Sequence, residues 1–572
     1  MARFKPFLIT LASVVIFYLS LPPVNLAYLC FIPPIFWVFL IRGEFHSCHP
    51  QKTIPSGRLA KLKARLSAFF RSFYGQIFVA ELLFWGLSIS WLPSPHPAIW
   101  AGWAPLSMLM AFYFLIYIET ARRFVRRWHM PLILASPLAW VGMEWLRKHI
   151  LTGFTFCSLE QALYLRPVMI QTAAWGGDYF VGALILLIGT AWGIGIESLT
   201  SDPRHWKKSV FSLTGGFLLL GGMVGYGFYA VNKIDRLCTE SRSGPKPPIK
   251  IALLQDSTYY HFPIPTETNQ QIHLHYTALS EEAAKTKPDL IVWPEGTYAD
   301  PYFVFEPGAK IPSPKGMPPL TPEETEKVIA KVESYQQEQF DDLLEKLGTP
   351  VIFGLISTVY GPERTHTYNS ALYLAADEPS LRYDKRSRVL FGEYIPFMEY
   401  LPESFPLKTL CEPISAGNNL GLIPVGSHYK VLISICFESC SAHFIRSQLD
   451  ELRRKEEPVD PDFLINISSD AWFFGNAENE FHDSSYTFRA VETRKYYLVA
   501  SHGGVSLGIT PAGKIFTQGT KGGREVVSAE FTPVHIRPFL DGKGLWMSVF
   551  CAWLTVFAYL PISRLRNKDF QA

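Results

Sequence analysis

Charge is scarce in this chain. Only 18% of its 572 residues are Asp, Glu, Lys or Arg, against 48% apolar, a balance that excludes an enzyme water-soluble along its whole length. Regular cysteine spacing is missing too. The eight cysteines form no CxxC pair, which excludes a zinc ribbon and argues against a disulfide framework. Cys436 and Cys440 are close in sequence, but a bridge would disturb the strand end at which Cys436 is expected. Internal repeats are absent, and so is low complexity beyond one Pro-rich stretch, which excludes a repeat architecture. A net charge of +3 over this length identifies no polyanionic partner, and no nucleic-acid partner is expected.

What is present is unevenly distributed. The chain is too long for one ordinary core. Residues 1–231 are dominated by apolar runs, 245–540 read as a water-soluble domain, and 544–562 form one more apolar run. A bilayer-spanning helix needs about 20 mostly apolar residues. Candidate spans fall at 6–22, 24–42, 73–93, 98–120, 129–146, 178–197, 209–230 and 544–562, the first two joined at Pro22-Pro23 as a tight hairpin. Seven such runs before residue 231 are too many for buried helices of a soluble protein.

Basic residues set the orientation. Arg3 and Lys5 precede the first span; Arg42, Lys52, Arg58, Lys61, Lys63, Arg65 and Arg71 follow the second. Arg122, Arg123, Arg126 and Arg127 follow the fourth, Arg204, Lys207 and Lys208 the sixth, and Arg564, Arg566 and Lys568 the last. The 93–99 loop has no Lys or Arg. Alternation puts both termini in the cytoplasm and residues 231–543 outside it; Arg147, Lys148 and Arg166 fit this less well. A cleaved leader ending near Ala27 is the competing reading of the first run, and the later loops keep their sides under it. Glu144 and Arg147 sit at a membrane boundary, either as a structural i,i+3 pair or as a lipid headgroup site.

The water-soluble stretch alternates short apolar runs with polar helical segments. Strands are expected at 249–254, 290–293, 351–355, 370–374, 430–435, 463–467, 497–501 and 506–510, and helices at 266–285, 321–347, 441–452 and 484–494. Runs such as Val431-Leu432-Ile433-Ser434-Ile435 are apolar on nearly both faces, as in a sheet covered on both sides, an α/β layered fold.

Glu295, Lys385 and Cys436 stand out at the ends of short runs: Trp293-Pro294-Glu295, Arg382-Tyr383-Asp384-Lys385 and Ser434-Ile435-Cys436. A thiol is a good nucleophile only as thiolate, so it needs a base or a positive charge nearby. A carboxylate in an apolar cleft can take the thiol proton and return it to a leaving group. A lysine cation favours thiolate and can stabilise an oxyanion. Singly these signals are weak, since a cysteine at a strand end is most often a small buried hydrophobe. His261, His273 and His275 are scattered through polar segments, so no metal site is expected.

The order Glu, Lys, Cys, with Trp293-Pro294-Glu295, Tyr383 two residues before Lys385, Phe391-Gly392-Glu393 and Cys436-Phe437-Glu438, resembles the carbon–nitrogen hydrolase (nitrilase) superfamily. With seven spans before the domain and one after, the chain resembles the apolipoprotein N-acyltransferases in particular. Further matches are Glu144-Trp145-Leu146-Arg147 with Thr152-Gly153-Phe154, Asp470-Ala471-Trp472-Phe473, and Arg489-Ala490-Val491-Glu492 with Arg494. The resemblance covers nearly the whole chain. It implies an αββα sandwich on an all-α bundle of about eight helices, periplasmic on a bacterial inner membrane. It implies Cys436 as nucleophile, Glu295 as general base, Lys385 as oxyanion-stabilising cation and Glu393 as a supporting carboxylate. Phe437 would offer a backbone oxyanion donor, Glu438 would lie in a substrate-facing turn, and Trp472 would support the site or bind substrate. The implied reaction moves an acyl chain from a phospholipid to the α-amine of a diacylglyceryl-cysteine lipoprotein, with no cofactor. A membrane-tethered amidase, in which water resolves the thioester, is the rival enzyme; a silent membrane scaffold is the rival from another class.

Three departures stand out. Phe437 replaces the usual Tyr, Ser469 stands where Asn is common, and 255–262 lacks the family's Q-x-N-I pattern and following Trp. Loops 299–323 and 392–419, the latter with Phe397, Tyr400, Leu401, Phe405 and Leu407, are candidate lids, and 476–485 a candidate rim.

Overall fold

The computed structural model describes residues 4–44, 58–150, 153–261, 263–313, 318–376, 378–400, 402, 413–426, 428–539 and 543–560. The chain divides into two compact units: Met1–Pro93, Pro97–Val231 and Pro538–Ala572 form one, Ser94–His96 and Asn232–Arg537 the other.

The first unit is helical. Three helices, Pro97–Arg127, Asp178–Ser201 and Trp206–Ser241, are long and apolar enough to cross a bilayer by length and composition, the last running on into the second unit. Lys5–Ser20, Ala27–Arg42, Phe73–Ser88 and Lys543–Phe557 are apolar but shorter. Within the expected span at 24–42, a 3-10 turn, Ala27–Phe31, leads into a helix, Pro33–Arg42. Pro33 and Pro34 lack an N–H, so they suit a helix's first turn and cannot continue the one before. Leu132–His149 carries Glu144 and Arg147 on its last turns.

The second unit holds two mixed sheets. Its strands are β1 (Ile249–Gln255), β2 (Leu290–Val292), β3 (Tyr302–Phe305), β4 (Val351–Tyr360), β5 (Thr365–Leu374) and β6 (Leu381–Asp384). They continue as β7 (Leu422–Val425), β8 (Tyr429–Ile435), β9 (Phe463–Ser469), β10 (Tyr497–His502), β11 (Leu507–Ile509), β12 (Ile515–Gln518) and β13 (Glu525–Phe531). One sheet runs β13-β1-β2-β4-β5-β6 with β3 paired to β4; the other runs β12-β11-β10-β9-β8-β7. Strands β1, β2 and β4 are mutually parallel, as are β8, β9 and β10, so their C-terminal ends lie along one edge of each sheet.

Three apolar layers hold this together. Ile251, Leu253 and Val292 from one sheet meet Val431, Ile433, Ile465 and Leu498 from the other in a shared core. Outside the first sheet, Leu254, Trp293 and Phe353 pack with Tyr276 and Phe340 of helices Thr266–Ala284 and Pro322–Leu347. Outside the second, Leu432, Leu464 and Val499 pack with Ile445, Leu449 and Tyr486 of helices Ala442–Arg453 and Ala477–Thr493. The order is helix, sheet, sheet, helix. Thr321 and Glu324 cap the Pro322–Leu347 helix reciprocally, and Gly348, at φ 59°, ends it in the left-handed conformation that glycine adopts without strain.

Two loop expectations change. The 476–485 rim is the first half of the Ala477–Thr493 helix, with Glu478 and Glu480 in its first turn. The 299–323 loop contains β3. In 392–419, Phe397 and Tyr400 are exposed, while Leu401, Phe405 and Leu407 lie outside the described residues.

Candidate active site

Glu295, Lys385 and Cys436 come from three strand ends. Cys436 follows β8 directly and opens the 3-10 turn Cys436–Cys440, with φ at 50°. That left-handed value is uncommon for a side chain larger than glycine's, and such positions cluster at functional sites. Lys385 follows β6, its N–H donating to the Asn369 carbonyl on β5 at 2.8 Å. Glu295 follows β2 by way of Trp293 and Pro294.

The three groups form one electrostatic unit. Lys385 Nζ donates to Glu295 Oε1 at 3.1 Å and to Glu393 Oε1 at 2.7 Å, and its side chain is 1% exposed. Burial works against its charge, but Glu295 and Glu393, with Cys436 behind them, outweigh burial and hold its pKa well above the ordinary lysine range. An ammonium has three donors. Two are used, and the third has no acceptor among the described residues. Burial, and then the Glu295 carboxylate, push the Cys436 thiol well above its usual range, while Lys385 and then His482 pull it part of the way back. The resting sulfur is therefore a protonated thiol, and its proton must leave as it attacks.

Glu295 is tightly held. Oε1 also accepts from Asn369 Nδ2 at 2.6 Å, and Oε2 accepts from the Ser469 backbone N–H at 3.0 Å. Asn369 Nδ2 reaches Glu393 Oε1 as well, at 3.2 Å. The amide thus bridges the two carboxylates alongside Lys385. Its flipped form would turn a carbonyl toward both, so the carboxylates fix which way it points. Asn369 was missed in the sequence, where it stands one residue before the strand expected at 370–374. Glu393 Oε2 accepts from the Val389 N–H at 2.8 Å, closing its own loop onto the site.

The remaining expected residues divide. Glu438 turns its carboxylate into the protein. It is fully buried, accepting from the backbone N–H groups of Arg386, Ser387 and Ile435 at 2.7, 2.9 and 2.8 Å and from the Tyr383 hydroxyl at 2.8 Å. This inward turn has a simple cause: a 3-10 turn folds the third residue back over its own start, and the loop after Lys385 brings amides to meet it. Phe437 lies half-buried in the same turn. Trp472 is half-buried and packs edge-on against Tyr260, ring centres 4.7 Å apart. Glu144 and Arg147 are in the other unit, both buried. Arg147 donates to both Glu144 oxygens, to Ser158 Oγ and to the carbonyls of Phe154 and Phe156. Its five N–H bonds are all engaged within this unit, and the i,i+3 pair with Glu144 is formed.

The departures from the family pattern are placed too. Ser469 supports Glu295 through its backbone N–H, a donor that any residue but proline supplies. In the divergent segment, Gln255 ties Ser506 N–H to the Thr520 carbonyl, and Asp256 pairs with Arg524; Phe262 lies outside the described residues.

Behind Cys436 lies a second buried group. Asp470, Glu478 and His482 bring their ligand-type atoms within 4.8 Å of one another, the only metal-like grouping among the described residues. His482 Nδ1 is 2.8 Å from Asp470 Oδ1, a hydrogen-bond distance that a proton accounts for. Burial opposes charge on His482, but Glu478, followed by weaker contributions including Asp470, holds its pKa well above the ordinary histidine value. Burial pushes the Glu478 carboxyl well above its own usual range.

Comparisons with known proteins agree with this architecture. A family profile described as "Apolipoprotein N-acyltransferase N-terminal domain" matches residues 13–191, and one described as "Carbon-nitrogen hydrolase" matches residues 250–539, half of the chain. An apolipoprotein N-acyltransferase of Rhodopirellula baltica is 28% identical over 494 residues, covering 79% of this chain and 83% of that protein. One from Geobacter metallireducens is 28% identical, covering 72% and 70%. One from Allorhizobium ampelinum is 25% identical, covering 93% and 91%.

Proposed function

The chain belongs to the carbon–nitrogen hydrolase family, in its apolipoprotein N-acyltransferase branch, and from that premise we propose that Cys436 carries an acyl group between two lipid substrates. The observation that carries the reading is the Glu295–Lys385–Glu393 network, built around the buried Lys385 ammonium, beside the Cys436 thiol.

Acyl transfer proceeds in two halves. Cys436 Sγ attacks the ester carbonyl of a phospholipid while Glu295 takes the thiol proton. Lys385 and the Phe437 backbone N–H face the oxyanion; one such donor contributes about 2.7–4 kcal/mol to barrier lowering. The C–O bond breaks, Glu295 returns the proton to the departing lysophospholipid oxygen, and a thioester remains. The α-amine of a diacylglyceryl-cysteine lipoprotein then attacks that thioester. Glu295 accepts the amine proton, the C–S bond breaks, and the proton returns to sulfur. Glu393 and Asn369 keep Lys385 and Glu295 in register throughout.

Membrane attachment suits this chemistry, because two bilayer lipids meet a site tethered beside them. The reading places the unit of residues 245–540 on the periplasmic side of a bacterial inner membrane, with the helices of 1–231 and 544–562 as its anchor and both termini cytoplasmic. Three long apolar helices and the alternation of basic loops support that placement. Intact-mass analysis after incubation with phospholipid tests the chemistry. A single acyl adduct is expected on the native chain, discharged by a diacylated lipopeptide and absent from Cys436→Ala. Free fatty acid without acylated peptide would make water the acceptor and overturn the transferase reading.

A further inference from the structure

The segment Arg58–Arg71 is a helix of 14 residues, RLAKLKARLSAFFR, with five cations and no anion. Leu66, Phe69 and Phe70 recur on it at i, i+3 and i+4, and they are 47%, 38% and 47% exposed. Lys61 and Arg65, four residues apart, fall on one flank of that stripe and Lys63 on the other, at about 100° per residue. Lys61, Lys63, Arg65 and Arg71 are exposed, and none has a carboxylate partner among the described residues.

The junction with the next helix is tight. Ser72 Oγ accepts from the Gly75 N–H at 3.0 Å, capping the apolar helix Phe73–Ser88. A Cβ on Gly75 would lie 1.9 Å from the Phe69 carbonyl oxygen, so only glycine lets the two helices meet there. Phe69 stacks edge-on against Phe78, ring centres 6.0 Å apart. A charged helix is therefore fixed to the point where an apolar one begins.

We infer that Arg58–Arg71 is an in-plane anchor for anionic phospholipid headgroups: Leu66, Phe69 and Phe70 enter the acyl boundary, and Lys61, Lys63 and Arg65 reach the phosphates. Unpaired cations alone would suit any polyanion. The exposed apolar stripe between them, continuous with an apolar helix, selects a lipid surface. The inference rests on the reading that the neighbouring helices cross a bilayer, and it adds a lipid class that the acyl-transfer site does not specify.

The test uses the full chain in nanodiscs of phosphatidylcholine alone or mixed with phosphatidylglycerol, with hydrogen exchange followed over residues 58–71 and acyl transfer assayed in parallel. Phosphatidylglycerol is expected to slow exchange there by about tenfold at low salt, an effect lost in high salt and in K61E/K63E/R65E. That variant should retain acyl transfer. Equal exchange in both lipids, or an equal response of the variant, overturns the inference, as does equal protection by soluble polyuridylate in neutral nanodiscs. An active chain whose helix ignores lipid charge sinks this inference alone, whereas a native chain inactive in both lipids sinks the functional reading instead.

Discussion

At the scale of single residues, the site is a charge-balance problem. Glu295 and Glu393 share one ammonium and one amide. Asn369→Asp would place a third carboxylate against the other two, and turnover is expected to fall by at least about a hundredfold, the cost of misplacing a catalytic group by about 1 Å; a kcat assay on the folded variant checks it. Glu438→Ala should act through stability. Three backbone N–H groups and a hydroxyl would lose their acceptor, at about 1–3 kcal/mol for each group left unpaired, visible as a large drop in melting temperature together with lost activity. His482 gives a pH signature. Its folded pKa is raised above the ordinary value of about 6.5, so its contribution is fully present below pH ~6.5 and is lost as pH rises toward the folded value. The raised Glu478 pKa acts in the same direction. The melting-temperature gap between the native chain and His482→Gln should therefore narrow from pH ~6.5 upward, measured by thermal scans in one detergent. The reacting residues were legible because their chemistry is rare and each has an ordered local motif. Asn369 and the inward role of Glu438 were not, because hydrogen bonds formed across strands leave no trace in local spacing.

At the scale of elements, a missing side chain positions the base. Gly354 lies on β4, and a Cβ there would stand 2.2 Å from the Pro294 carbonyl oxygen and 2.5 Å from Glu295 Cα. The Thr297 and Tyr298 N–H groups also close onto the Gly354 carbonyl. Gly354→Ala should therefore displace Glu295 while leaving Cys436 in place: acyl-enzyme formation falls sharply, and alkylation of the Cys436 thiol by a small reagent remains detectable. Strands buried on both faces, such as β8 and β9, announce themselves as continuous apolar runs. β6, with Arg382 and Asp384 among its four residues, does not, since its pairing with β5 overrides its composition. β13 alternates buried and exposed positions at its C-terminal end, a pattern that was there to be read. The early start of the Ala477–Thr493 helix was signalled by Asn476 at its N-cap with acids in the first turn, obscured by a run of polar residues.

At the scale of the whole molecule, the basic loops make the orientation testable. A cysteine at Ser243 is expected to react with a membrane-impermeant maleimide on intact spheroplasts, and one at Arg204 only after lysis; the reverse pattern would place the catalytic unit in the cytosol. The sheet order has a consequence of another kind. Ile249, at the start of the catalytic unit, pairs with Phe531 near its end. During synthesis, β1 must wait for almost the entire unit to emerge before its outer side finds a partner. Until then it is an open, apolar edge able to recruit other nascent chains. Production of this protein should accordingly be limited by how quickly the last strand arrives, and a chain stopped before Glu525 should accumulate as aggregate rather than as a smaller folded fragment, which fractionation of expressing cells would reveal.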